Sequence, residues 1–398
     1  NPTYPWQHKA SYANQVWLDG IFMGIPFWTL AGPNIGTTHH SNWTATDFFD
    51  DAYNQMIITD EKTYDSSTNL WKHAWDYTMT KTWADCSAKL LSSKFEHTSD
   101  ETAISSTPTG RSCHTWGRAL GWYAMAILET MDNITAVDDN YSHLGDLRTL
   151  FKKVMDAIIS YRDETTGVWY CVMDVDDTKS PYNSITVTQH NYPEATCSSM
   201  FAYCLLRGVA KGYLDSSYLN IAKDVYKKVV DNFITTSGDN INLNSCMQVG
   251  GLDDSGRDGS FAYYMSEPVI QDDSKGVGPF IWASLEAEKI GYNIATNDFD
   301  NNTLTYFGWS KMSDDISDIS NFTTPTFTAT TAATTLSNNS EIDFTSSNTS
   351  VATVGTDGTV TLTGTAGTAI ITAALKSGSS YSWGNNSPTY TVTVTAPD

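Results

Sequence analysis

The feature that most constrains the fold is a break in composition between about residues 293 and 320. Before it the chain is rich in Trp, Tyr, Met, Lys and Leu. After it Thr, Ser, Ala, Val and Gly dominate, and Lys376 is the sole basic residue beyond 320. Two such stretches call for different architectures. In 398 residues, one large and one small domain fit. The organisation expected is a domain over 1–292, a linker over 293–319 and a second domain over 320–398.

The front part reads mainly α. In residues 116–132 (WGRALGWYAMAILETMD), Leu120, Tyr123, Ala124, Ile127, Leu128 and Met131 recur at the spacing of one buried helical stripe, with Arg118 and Trp122 one turn apart on the opposite face. Residues 147–162 and 218–234 carry similar stripes. Residues 194–212, rich in Ala, Ser and Cys, suit a helix packed on several sides. Pro279 serves as a first helical position and Gly291 as a stop. No strand–helix alternation of a doubly wound sheet is present, and a toroid-like α/α architecture fits better.

The tail reads as strands. Residues 350–355, 358–362, 368–374 and 389–395 are β-branched and often alternate, with turns at Asp357-Gly358 and Ala366-Gly367. Such spacing suggests a small sandwich. Ser347, Val351, Asp357, Gly358, Thr359, Val360, Gly367, Thr368, Ala369 and Thr372 carry a pattern that resembles bacterial Ig-like domains of group 2. The resemblance implies a spacer or adhesive module.

Charge narrows the partners. At a formal −22 the chain repels nucleic acid and anionic membranes, and no apolar run is long enough for a transmembrane helix. An anionic sugar would need a local cation, which makes the six Arg residues worth inspecting. None of the six Cys forms a C-x-x-C pair, which argues against a zinc site or thioredoxin-like chemistry. Phosphate-loop, G-x-S-x-G and H-E-x-x-H motifs are absent.

Three segments place polar residues among aromatics. Asp19 sits in VWLDGIFMGIPF (16–27), flanked by Trp17, Leu18, Ile21 and Phe22, where desolvation would raise its pKa and suit a general acid. The alternative is a capping or exposed Asp. Gly20 and Gly24 would let neighbouring helices approach. His73 lies between Trp71 and Trp75, either holding a substrate hydroxyl or carboxylate or serving as a satisfied structural His. Arg118 beside Trp116 and Trp122 offers a carboxylate clamp with a stacking wall, against the plainer reading of a salt-bridged Arg.

Six stretches in order, VWLDGIFMGIPF, LWKHAWD, TWGRALGWYAMAILE, TGVWYCVMD, NYPEATCSSMFAYCLLRGVAKGYLD and RDGSFAYYMSEPVIQDDSKGVGPF, resemble the family-105 unsaturated rhamnogalacturonyl hydrolases. The related family-88 unsaturated glucuronyl hydrolases match these motifs less closely. The resemblance implies an (α/α)6 toroid and a reaction free of metal and cofactor. The substrate would be a pectin- or ulvan-derived oligosaccharide ending in an unsaturated uronic acid. The family's general acid/base falls on Asp19, and its binding positions fall on His8, His73, Trp116, Arg118 and Trp122.

The family also carries a further stretch ahead of the segment that begins here near Tyr4, about a third of the toroid, with a second acidic residue in a D-H-x-x-x-G-R-like motif. No such motif occurs in this chain. The expectation is therefore a partial (α/α)6 toroid followed by a small all-β Ig-like sandwich. A missing N-terminal fragment or a homo-oligomer would cover the open flank. The expected setting is secreted or on a bacterial cell surface. A second expectation is an inactive surface or assembly protein built on a degenerate hydrolase shell.

Overall fold

In the computed structural model, the described residues are 5–36, 42–84, 109–175, 190–238, 240–299, 304–331, 335–336 and 340–395. The stretch from 85 to 108, including Cys86, lies outside them. The chain divides into two compact units, Asn1–Ser284 and Leu285–Asp398.

The first unit is built from helices α1 (Leu18–Ala31), α2 (Ala45–Thr63), α3 (Gly117–Thr135), α4 (Leu144–Ser160), α5 (Ala195–Ala210), α6 (Leu219–Phe233), the short α7 (Phe261–Tyr264) and α8 (Ser274–Lys289), within which the division falls. Helices α1, α3 and α5 pack side by side. Helix α2 lies against α1, α4 against α3 and α5, and α6 against α5. Consecutive helices thus alternate between an inner and an outer layer, which is an arc of an α/α toroid.

The sequence explains the layering. Outer α6 buries only Leu219, Ala222, Lys223, Val225, Tyr226, Val229 and Phe233, one stripe of an otherwise polar helix. Inner α3 is buried at every position from Gly117 to Leu128. The expected polar face carrying Arg118 and Trp122 is therefore absent: neighbours cover that side too. Helix α2 starts at a capping box, in which Asp47 accepts from the Thr44 backbone N–H (2.6 Å) while its own N–H donates to Thr44 Oγ1.

Two other expectations are corrected. Pro279 does not open its helix. Helix α8 begins at Ser274 and carries Pro279 inside, although Gly291, at φ +84°, does follow the end of α8 as a stop. Gly20 and Gly24 admit the N-terminal segment rather than a helix. A Cβ on Gly20 would stand 2.9 Å from His8 Nδ1, and one on Gly24 3.3 Å from the Trp6 ring. Helix α1 also exposes Met23, Phe27 and Leu30, each more than half exposed, along one stripe.

A short antiparallel pair positions the front of the arc. Gln15–Trp17 runs against Ala74–Asp76, with Trp17 opposite Ala74. The Leu18 N–H then donates to the His73 carbonyl at 3.1 Å. The entry to α1 is therefore tied to residue 73 before any side chain is considered.

The second unit is all β in its sheets. Its four-stranded sheet runs in the order Ser313–Ile316, Thr389–Val394, Gly367–Leu375, Ile342–Ser346, with the first pair parallel and the others antiparallel. Two antiparallel pairs, Leu304–Trp309 with Phe327–Thr331 and Ala352–Val354 with Val360–Leu362, accompany it. Tyr390, Val392 and Val394 point inward while the intervening Thr residues face out, a period-two pattern. They join Leu304, Phe307, Trp309, Ile342, Val351 and Ile371 in one core. The expected linker 293–319 is thus in large part sheet. The segment LTYFGW (304–309) is aromatic like the front part, so composition assigned it away from the unit whose core it fills.

Candidate active site

The strand pair and the N-terminus of α1 bring Asp19 to His73. Asp19 Oδ2 lies 3.2 Å from His73 Nε2, with His73 fully buried and about 15 % of the Asp19 side chain exposed. The approach is off-line, so neither atom completes a hydrogen bond. The other ring nitrogen of His73, Nδ1, is 2.8 Å from the Tyr264 hydroxyl. Burial pushes the Tyr264 phenol well up, helped by the nearby Tyr263 and Asp19. Tyr264 therefore keeps its proton, and an ionised Asp19, which can only accept, favours the ring proton on Nε2, in which case Nδ1 accepts from the Tyr264 hydroxyl.

His8 completes a triangle. Its ring stacks on Trp17 at 4.4 Å and 12°, and Tyr12 stacks on the same indole at 4.9 Å. Trp17 meets His73 edge-on at 5.3 Å, and Trp116 lies against His73 at 4.9 Å. The imidazoles are thus enclosed by aromatic walls. Burial lowers the His8 pKa, with the Asp19 charge opposing.

Asp19 departs from the sequence expectation. Burial does push its carboxyl up, but the His73 ring beside it and the charges of His73 and His8 outweigh burial and hold it below the usual carboxylate value. Its place in the first turn of α1 favours negative charge as well. In the free protein Asp19 is an ionised carboxylate near neutral pH, not a carboxylic acid with a raised pKa.

Arg118 departs too. It is buried on the first turn of α3, donates from Nε to Thr196 Oγ1 (2.9 Å) and from Nη2 to the Met247 carbonyl, and lies 3.6 Å from Glu194 Oε1. Glu194 accepts in turn from Thr196 Oγ1 (2.6 Å) and from the N–H groups of Cys197 and Met247 (2.9 Å each). The guanidinium also sits 5.0 Å from the Trp116 ring centroid. Its Nε and Nη2 are engaged in this network, while Nη1 is not. Trp122 stacks on Phe22 at 4.7 Å, so it braces α1 one turn beyond Asp19.

What remains unspent is informative. Among the described residues, His8 Nδ1, Asp19 Oδ2, His73 Nε2, Trp116 Nε1 and Arg118 Nη1 are buried polar atoms with no hydrogen-bond partner. Buried polar groups are nearly always satisfied in folded proteins. The grouping of these five residues in one chain of ring contacts and ion pairs, more than the lack of a hydrogen bond at any one of them, marks a candidate place for a polar ligand. Sequence reasoning had named all five residues. It missed Tyr264, although the FAYY run in a Gly-flanked loop was a signal, and it did not connect Glu194 of NYPEA to Arg118.

Comparison with known proteins bears on the family and the fold. The protein Atu3128 of Agrobacterium fabrum and the 24.9 kDa protein in picA locus of Rhizobium radiobacter are each 27% identical to this chain over 273 residues, covering 67% of it and 98% of the relative. A solved family-105 glycoside hydrolase from C. acetobutylicum is 35% identical, with a TM-score of 0.58, over 71% of this chain and 68% of its own. The pattern of Glycosyl Hydrolase Family 88 matches residues 4–91 and 95–291. On that extent of agreement, spanning every residue of the site, this chain belongs to Glycosyl Hydrolase Family 88.

Proposed function

We propose that the first unit hydrolyses oligosaccharides that end in a 4-deoxy uronic acid with a C4=C5 double bond, of rhamnogalacturonan or ulvan origin. The observation that carries this reading is the Asp19–His73–His8 triangle, whose buried polar atoms are unspent inside aromatic walls. Flat walls suit a sugar ring, and the open polar atoms suit its hydroxyl and carboxylate groups.

The chemistry follows from an enol ether beside a carboxylate that can change charge. The uronate brings its own negative charge and displaces water from Asp19. Both effects push the Asp19 pKa up, so the carboxylate takes up a proton as substrate enters. Asp19 then gives that proton to C4, and the C5 cation that forms is stabilised by the ring oxygen. Water adds at C5, and its proton returns to Asp19. The hemiketal opens by breaking the C5–ring oxygen bond, and the hemiacetal left at C1 expels the aglycone. General acid/base action of this kind contributes about 10²–10⁴-fold. His73, with its Nε2 proton toward Asp19, keeps the carboxylate oriented between the two transfers.

His8 and Trp116 would hold the sugar through their free ring nitrogens, and Arg118 through Nη1 alone. Trp122 would act by supporting α1. The second unit, with its Ig-like sequence pattern, would tether the enzyme outside the cell.

The test is ultraviolet absorbance of the C4=C5 chromophore on lyase-generated rhamnogalacturonan, ulvan and glycosaminoglycan oligosaccharides. Loss of absorbance with release of the aglycone is expected on at least one of the first two. A folded sample that acts on none of them returns the reading to a binding or assembly role.

A further inference from the structure

Behind the Asp19–His73 pair lies a second buried charge cluster that the reaction does not use. Asp174 is its centre. One carboxylate oxygen, Oδ2, takes the Lys72 ammonium at 2.6 Å. The other, Oδ1, accepts from the Thr115 N–H at 3.0 Å and stands 3.3 Å from His114 Nδ1. Lys72 and His114 are themselves buried, and Lys72 also reaches Asp65 at 3.3 Å. Burial acts to raise the Asp174 pKa, but the charges and hydrogen bonds of Lys72 and His114 dominate and hold it far below the usual carboxylate range.

The sequence neighbours of these contacts give the cluster its meaning. Lys72 precedes His73, and Thr115 precedes Trp116. The His73 N–H donates to the His114 carbonyl at 3.4 Å, and Met173 N–H donates to the Thr115 carbonyl at 2.9 Å. Trp116 forms an isolated bridge with Val172. Three chain segments that carry or flank the site are therefore joined at one carboxylate.

We infer that Asp174 is a positioning residue for the Asp19–His73 pair: through Lys72 on one oxygen and Thr115 and His114 on the other, it fixes the two segments that present His73 and Trp116. Geometry at this level matters, since a displacement of about 1 Å away from the chemistry costs on the order of 10²-fold in rate. The inference deepens the proposed role of Asp19 and rests on it.

The experiment is a titration of the Asp19 carboxyl by carbon NMR in aspartate-labelled protein, with the resonance assigned by Asp19→Asn. It is run on the full chain and on Asp174→Asn. The groups facing Asp19 are His73, His8 and Tyr264. If Asp174→Asn lets His73 drift, burial prevails and the Asp19 midpoint rises by about one pH unit. Removing a negative charge through space would move the midpoint the other way, so the sign separates positioning from simple electrostatics. A folded Asp174→Asn with the Asp19 midpoint unchanged or lowered overturns the inference. If Asp174→Asn does not fold, Lys72→Arg, which keeps the charge but replaces a compact ammonium by a planar fork, carries the same criterion. The absorbance assay on unsubstituted protein judges the hydrolase reading separately, because the titration requires no turnover.

Discussion

Two carboxylates of the first unit, half-buried Asp19 and fully buried Glu194, each face a cationic or protonatable partner, and they are wired in opposite ways. Glu194 has no exposed surface and accepts from Thr196 and from two backbone N–H groups, with the Arg118 guanidinium alongside. Asp19 keeps a small exposed surface and an unspent oxygen, and its His73 partner approaches off-line. The first arrangement caps α5 and joins three segments. The second leaves capacity open, which stability alone would not favour. A saturated network reads as architecture, and an unsaturated one beside it reads as chemistry.

The sharpest way to break that contrast is to exchange the consequences. Glu194→Gln leaves Arg118 buried without its counter-charge. The expected outcome is a loss of about 3–5 kcal/mol in unfolding free energy, measured by denaturant titration. A loss below about 1 kcal/mol would mean that the network is not the structural one.

His73→Gln should do the reverse. Unfolding free energy should change far less, while the rate of chromophore loss falls by about 10²-fold. Equal losses of stability in the two variants would dissolve the distinction.

The pH dependence sharpens it further. The folded-state pKa of Asp19 lies below its ordinary value. Its ionised form therefore favours the fold above the unfolded pKa, and that contribution fades as pH falls through the folded value. Because Asp19 must carry a proton to deliver it to C4, kcat/KM should fall as pH rises above its free-enzyme pKa, so this alkaline limb should already be in force above the lowered carboxylate value. In His73→Gln, where burial loses its main opponent, the limb should move up. An activity plateau that persists to neutral pH and falls only above it would mean that Asp19 rests protonated instead.

The smallest effect should come from the outer stripe of α1. Phe27→Ser should change unfolding free energy by no more than about 0.5 kcal/mol. Ile25→Ala, two residues away on the buried face, should cost roughly 2–5 kcal/mol. A large effect of Phe27→Ser would mean that the stripe is covered in solution.

Much of this was legible in the sequence, for identifiable reasons. Helix positions in the first unit follow apolar periodicity, so residues 116–132 and 218–234 anticipate α3 and α6 closely. The same signal cannot say that a helix is covered on every side, which is why Arg118 was expected on an open face. That outcome depends on Glu194, Thr196 and Met247, brought in from 76 to 129 residues further along the chain. Asp19 and His73 could each be singled out by aromatic neighbours. Their meeting depends on the register of Gln15–Trp17 against Ala74–Asp76, which no local pattern encodes. For the same reason the sign of the Asp19 shift was missed: desolvation is visible from flanking residues, while the opposing His73 and His8 are not. The Asp174 cluster joins residues more than fifty positions apart and carries no local signature at all.

The most direct measurement compares the unsubstituted protein with Asp19→Asn at matched folded concentration, following loss of the C4=C5 absorbance. The account predicts loss of absorbance in the first and a fall of about 10³-fold in the second, with the variant still folded and its unfolding midpoint lowered only by the contribution the ionised carboxylate makes. Turnover that survives Asp19→Asn would contradict it and move the chemistry elsewhere.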